Sequence, residues 1–207
     1  MKTNVISITS DLAGRAEAMQ EAERFSVYNG LTGKNAMHIR LLTEETISMV
    51  NGIVKDFEGD LWMESEPTPS GLLCRICVAA NVSVSEGQEE QLLDIATSGK
   101  NTEAVGILGK IRQLFRWSLQ QTDTTSSLQA NTLSSWYAMG VQDASYWSLR
   151  QYTQQLQQQQ PEGEEWDELE KSIIAKLADE VRVGIRAERA EVVIEKYIHN
   201  IMEKAMK

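Results

Sequence analysis

The chain has 207 residues, 42% of them hydrophobic and 24% charged, and a formal net charge of −10. That apolar fraction is too high for a disordered chain, and the length suits one large domain or two small ones. With 30 carboxylates against 20 basic residues, the charge excludes a protein whose main task is to grip nucleic acid.

The opening residues, MKTNVISITSD, hold one Lys and no apolar core, so no secretory signal is expected. No run approaches the ~18 apolar residues that span a membrane, and a cytoplasmic protein with no membrane partner is expected. Asn4 to Thr9 alternates Val5, Ile6 and Ile8 with polar residues and predicts an edge strand. Ser10 or Asp11 can cap a helix running to about Tyr28, with Leu12, Arg15, Ala16, Met19, Ala22 and Glu23 at helical spacing. Asn29-Gly30 and Thr32-Gly33 punctuate the chain. A longer helix follows from about Asn35 to Lys55. Its core stripe is Ile39, Leu42, Thr46, Val50 and Ile53, widened by Met49 and Val54. Glu44, Ser48 and Asn51 lie on the opposite face.

A hairpin comes next, with arms at 59–64 and 72–84 and a turn at Glu66–Gly71 that holds two of the three prolines. Its second arm carries both cysteines of the chain, Cys74 and Cys77, at the spacing of a zinc knuckle or a redox pair. A zinc site needs four ligands, there is no second cysteine pair, and His38 and His199 are far away in sequence. On a strand, positions 74 and 77 point to opposite faces. Both are read as reduced, packed thiols, which suits a reducing cytoplasm.

Residues 86–98 predict a helix with Leu92, Leu93 and Ile95 buried. Residues 97–101 form a loop, and a further helix runs from Thr102 to about Leu119. Residues 118–165 differ in kind. They are rich in Gln, Ser and Thr, have Arg150 as their only basic residue, and hold the aromatic runs Trp136-Tyr137 and Tyr146-Trp147. They read as an insertion with a short helix near 144–156, its aromatics docking on the domain or on a partner. Asp167 to Asp179 predicts a helix with Leu169, Ile173, Ile174 and Leu177 inward. Glu180–Arg186 and Ala190–Glu195 alternate and predict a terminal hairpin, followed by a short basic helix at 198–207. Hairpins separated by helices imply an α+β fold. It is a two-layer α/β sandwich whose mixed, mostly antiparallel sheet has helices on one face, built as a single domain over 1–207 with the insertion at about 118–165.

This order resembles the histidine-kinase-like (GHKL) ATPase fold, particularly its anti-sigma-factor serine kinase branch. Leu41-Leu-Thr-Glu-Glu-Thr-Ile-Ser-Met-Val-Asn51 looks like the N-box helix of that family. Ala175–Ile185 looks like the last helix passing into the final hairpin. The resemblance covers about 1–115 and 166–198. It implies ATP as ligand, a regulatory protein as partner, and Glu45 as the residue that positions a water or hydroxyl. It implies ligand contacts at Glu44, Ser48 and Asn81, and phosphate contacts at Gly99, Lys100, Gly106, Gly109 and Lys110.

The sequence departs from the family pattern at named places. The N-box Glu is followed four residues on by an Asn that holds Mg2+. Here Glu45 is followed by Met49 and Glu44 by Ser48. A thioether does not suit a hard cation, and the hydroxyl is a weak ligand. The adenine-reading Asp after the hairpin is missing, with Asn81 the nearest replacement. The turn Ser98-Gly-Lys-Asn101 and the run Val105-Gly-Ile-Leu-Gly-Lys110 offer glycines and lysines near a helix start. They suit an anion, while close helix packing and turn geometry account for the same glycines without a ligand. Three functions follow from the resemblance: a nucleotide-binding regulator with little or no turnover, an interaction module that kept the fold and lost the ligand, and an anti-sigma-type serine kinase.

Overall fold

The computed structural model describes residues 1–53, 57–82, 107, 109–111, 146–159, 172–186 and 189–199. The expected helix at 86–98, most of that at 102–119, Trp136-Tyr137 and residues 200–207 lie outside these.

The described strands form a six-stranded sheet in the order β1-β2-β3-β6-β5-β4, antiparallel at every pairing. The strands are β1 (Ile6–Thr9), β2 (Phe57–Thr68), β3 (Gly71–Val82), β4 (Tyr146–Ser148), β5 (Glu180–Arg186) and β6 (Arg189–His199). The helices are α1 (Arg15–Tyr28), α2 (Lys34–Ile53), α3 (Leu149–Gln159) and α4 (Ile173–Leu177). A short helical stretch also covers 107 and 109–111. The described helices pack on one face of the sheet, as an α+β two-layer sandwich requires.

Strand periodicity explains the division of faces. Ile6 and Ile8, Leu61 and Met63, Ile76 and Val78, Val181 and Val183, Val192 and Ile194 all point under the helices into one core. Each fully buried Ile or Leu there contributes about 1.5–3 kcal/mol by leaving water. The α2 stripe is buried as its spacing predicts, with Ile39, Leu42, Thr46, Met49 and Val50 inside. Thr43 and Ile47 join it. The two buried threonines satisfy their hydroxyls within the helix, Thr43 Oγ1 donating to Ile39 O and Thr46 Oγ1 to Leu42 O.

Several expectations change. Neither Ser10 nor Asp11 caps α1. Asp11 Oδ1 instead accepts from Ala13 N at 3.0 Å, closing a turn before the helix. The N-cap is Gly14, left-handed at φ 78°, where a Cβ would lie 2.0 Å from Ser7 O. Starting there, α1 buries Ala18, Ala22, Phe25 and Ser26 rather than the stripe through Leu12, Ala16 and Glu23. Leu12, outside the helix, is exposed. The β2–β3 turn is tighter than expected, because the ladder runs on through Pro67↔Leu72 to Thr68↔Gly71. Pro67 is tolerated because the N-terminal segment on its other side stops pairing at Ser65.

Part of the polar insertion belongs to the sheet. Tyr146–Ser148 is a strand on the β5 edge, and the helix expected near 144 starts only at Leu149. Leu149, Tyr152 and Leu156 form the buried stripe of α3, and Trp147 packs beside them. These aromatics dock in cis. α4 is short. Ser172 Oγ caps it by accepting from Ala175 N, Ile174 is buried, and Ile173 is exposed rather than inward. Ile198 and His199 belong to β6 and not to a closing helix.

Candidate functional site

α2 carries the N-box resemblance, and it packs over β3 and β6 at the centre of the sheet. Glu44 and Glu45 are half-buried and Ser48 is exposed. The first turn of α1 places Arg15 beside Glu44, with Nη2 to Oε1 at 2.5 Å. Glu44 is therefore engaged by a guanidinium. Arg15 was not among the residues the sequence singled out for a site. Met49, the residue in the cation register after Glu45, is 3% exposed and lies in the core. It belongs to the hydrophobic cluster, and the hydroxyls of Thr43 and Thr46 are committed to the helix backbone. The donor set for Mg2+ does not fit here.

Asn81 lies at the end of β3 opposite Glu58 and Arg189. It shares a strand face with Cys77 and Ala79, whereas Ala80 points under the helices. The sheet thus separates Asn81 from Glu44 and Glu45. The structure does not bring these predicted ligand contacts together.

Of the Gly/Lys turn, Gly99, Lys100 and Gly106 lie outside the described residues. Gly109 is buried and helical, between Ile107 and Ile111 of the core. Lys110 Nζ stands over the Tyr152 ring of α3, 5.7 Å from its centroid. The helical residues 107 and 109–111 therefore pack in the same layer as α2, and Lys110 touches the element that follows β4. Tyr152 was missed in the sequence because the contact joins residues distant along the chain.

Glu180 fastens β4 and α3 to β5. It is 6% exposed, and its Oε1 accepts from Ser148 Oγ at 3.1 Å, Arg150 N at 3.2 Å and Val181 N at 3.0 Å. A carboxylate at the first turn of α3 also complements the helix dipole. On the face turned away from the described helices Glu195 accepts from Arg75 Nε at 3.1 Å and from Arg182 Nη2. Burial works to lower the Arg75 pKa, but Glu66 and Glu195 outweigh it and raise the value.

The cysteines stand as their spacing predicts. Cys74 lies in the main core, and Cys77 packs with Val193 and Trp62 on the other face. Burial pushes both thiols up to about 12. His38, in the second turn of α2, is held below the ordinary imidazole value by burial and then by Lys196 and Lys34. Among the described residues no group of His, Cys, Asp and Glu can hold a metal ion. Among them, too, no helix is long and apolar enough to cross a membrane. No family model, curated protein or solved structure matches the chain.

Proposed function

We propose that this chain is a cytoplasmic regulatory protein that binds an adenine nucleotide on a histidine-kinase-like ATPase scaffold, with little or no turnover. The observation that carries the reading is the layout of the described elements. Strand, helix, α2 with its Glu44-Glu45 pair and hairpin are followed by a Lys110-bearing helical stretch in the same layer, and a hairpin ends the described chain. Low turnover follows from the chemistry around α2. Arg15 engages Glu44, and a buried Met49 stands where the family has its metal-binding Asn. Without that ligand, nucleotide binding rests on protein groups and does not need Mg2+. Two buried, reduced cysteines suit the cytoplasm.

A thermal-shift titration with ATP and ADP, with Mg2+ or with EDTA, tests this. At nucleotide 100-fold above Kd the native state gains about 2.7 kcal/mol, a rise of roughly 5–11 °C for a chain of this size. EDTA should leave that rise unchanged. No shift at millimolar nucleotide overturns the proposal.

One observation favours the second reading, an interaction module without ligand: Asn81, the nearest candidate for the adenine contact, faces away from the helix layer. The same titration separates the two. The serine-kinase reading requires a Mg2+-dependent shift that Glu45→Ala abolishes.

A further inference from the structure

We propose that the face of β2 turned away from the described helices is a docking surface for an extended, Lys/Arg-rich segment of a partner protein. β2 buries Phe57, Leu61 and Met63 under the helices, so Glu58, Asp60, Trp62, Glu64 and Glu66 share the opposite face. Alternate residues of a strand lie about 6.8 Å apart, which makes this a row of carboxylates at regular spacing with one aromatic at its centre. Glu58, Asp60 and Glu66 are exposed.

The charge of this face is uneven. Toward β6, Glu195 is matched by Arg75 and Arg182, and Glu191 by Arg189. Toward β1, the cross-strand neighbours of Glu58 are Thr9 and Asn81, and those of Asp60 are Ser7 and Ala79. None of these four is a cation. The negative excess therefore sits on the β1–β2 side, where it complements a basic chain.

The surface already holds one ammonium group. Lys2 Nζ lies 4.4 Å from the Trp62 ring centroid and 3.4 Å from Glu64 Oε1. Trp62 Nε1 donates to the same Glu64 oxygen at 2.8 Å, which orients ring and carboxylate together. A lysine thus gains a π-face and a carboxylate at a single position. Lys2 lies over the centre of the row and Arg75 engages Glu66 at 2.8 Å, so the open carboxylates are Glu58 and Asp60. An extended partner repeats its side chains at the same spacing as β2, so cations two residues apart meet Glu58 and Asp60 in turn.

The test uses a fluorescein-labelled peptide of alternating Lys and Ser, with binding read by anisotropy at low salt. E58Q/D60N should weaken binding about tenfold, while E17Q/E23Q on α1, which removes the same charge, should change it less than about twofold. Lys2→Ala should tighten binding more than Lys34→Ala, an equal charge change on α2. Equal effects within either pair of variants would assign the binding to net charge alone and overturn the proposal. All these side chains are exposed or half-exposed, and circular dichroism checks that each variant is folded.

Discussion

Replacing Gly14 by Ala should destabilise the chain by about 3 kcal/mol. The residue sits at φ 78°, where an L side chain costs roughly 1–2 kcal/mol. An added Cβ would also lie 2.0 Å from Ser7 O and 3.3 Å from Ile8 Cγ2. The nearer atom is backbone of β1 and cannot swing aside, so either β1 or the start of α1 must move. Moving it strains the turn bonds Thr9 N to Ala13 O, Leu12 N to Thr9 O and Arg15 N to Leu12 O. Losing one or two of these adds about 0.5–1.5 kcal/mol each. Gly30→Ala is the control, because φ is 67° there and a Cβ added at that position would meet nothing within 4 Å. It carries the conformational cost without the clash, so G14A should be less stable than G30A by about 1–3 kcal/mol in urea melts followed by circular dichroism. A difference near zero would refute the close approach of α1 to β1. Because Arg15 follows Gly14 directly, G14A should also loosen the pairing of Arg15 with Glu44.

Glu195→Gln should cost roughly 3 kcal/mol, because it leaves two arginines facing a neutral group at a site 8% exposed. Glu66→Gln, on a carboxylate 59% exposed, should cost under about 1 kcal/mol in the same urea melts. The buried thiols of Cys74 and Cys77 should resist an aromatic disulfide reagent at pH 8 in the native protein and react at once in denaturant. Prompt native labelling would contradict their burial. Both thiols rise from 9.0 to about 12 on folding, so their stabilising share is full below pH 9 and is lost as pH rises toward 12. His38 has the opposite sign. Its folded pKa is depressed below 6.5, so its share is present above that pH and is lost as pH falls through the folded value. Its NMR titration midpoint should lie below 6.5 and should rise in Lys196→Ala.

Much of the framework was legible because it rests on local periodicity. The α2 stripe from Ile39 to Val50, the β2–β3 and β5–β6 hairpins, and the opposed faces of Cys74 and Cys77 all follow from spacings of about 3.6 and 2 residues. The start of α1 was less legible. Asp11 has the chemistry of a cap, but the fit of Gly14 against Ser7 sets where the helix begins, and that contact is not local.

The candidate site was legible only in part. The sequence named Glu44, but Arg15 beside it comes from a different helix, and Lys110 meets Tyr152 across a gap of dozens of residues. Asn81 looked like a ligand contact from its place in the chain. Its direction was decided by the ladder, which sets Asn81 against Glu58 and Arg189 and turns it from the helix layer.

The acidic composition and the helix and strand patterns were determined by the sequence itself, since charge and periodicity are properties of residues and near neighbours. Tertiary structure decided where that charge acts. Pairing with β5 turned Tyr146–Ser148 from expected helix into strand, because an open sheet edge satisfies backbone groups that a polar segment alone cannot order. Register likewise paired the carboxylates near β6 with arginines and gathered the exposed excess on β2, beside Trp62 and Lys2.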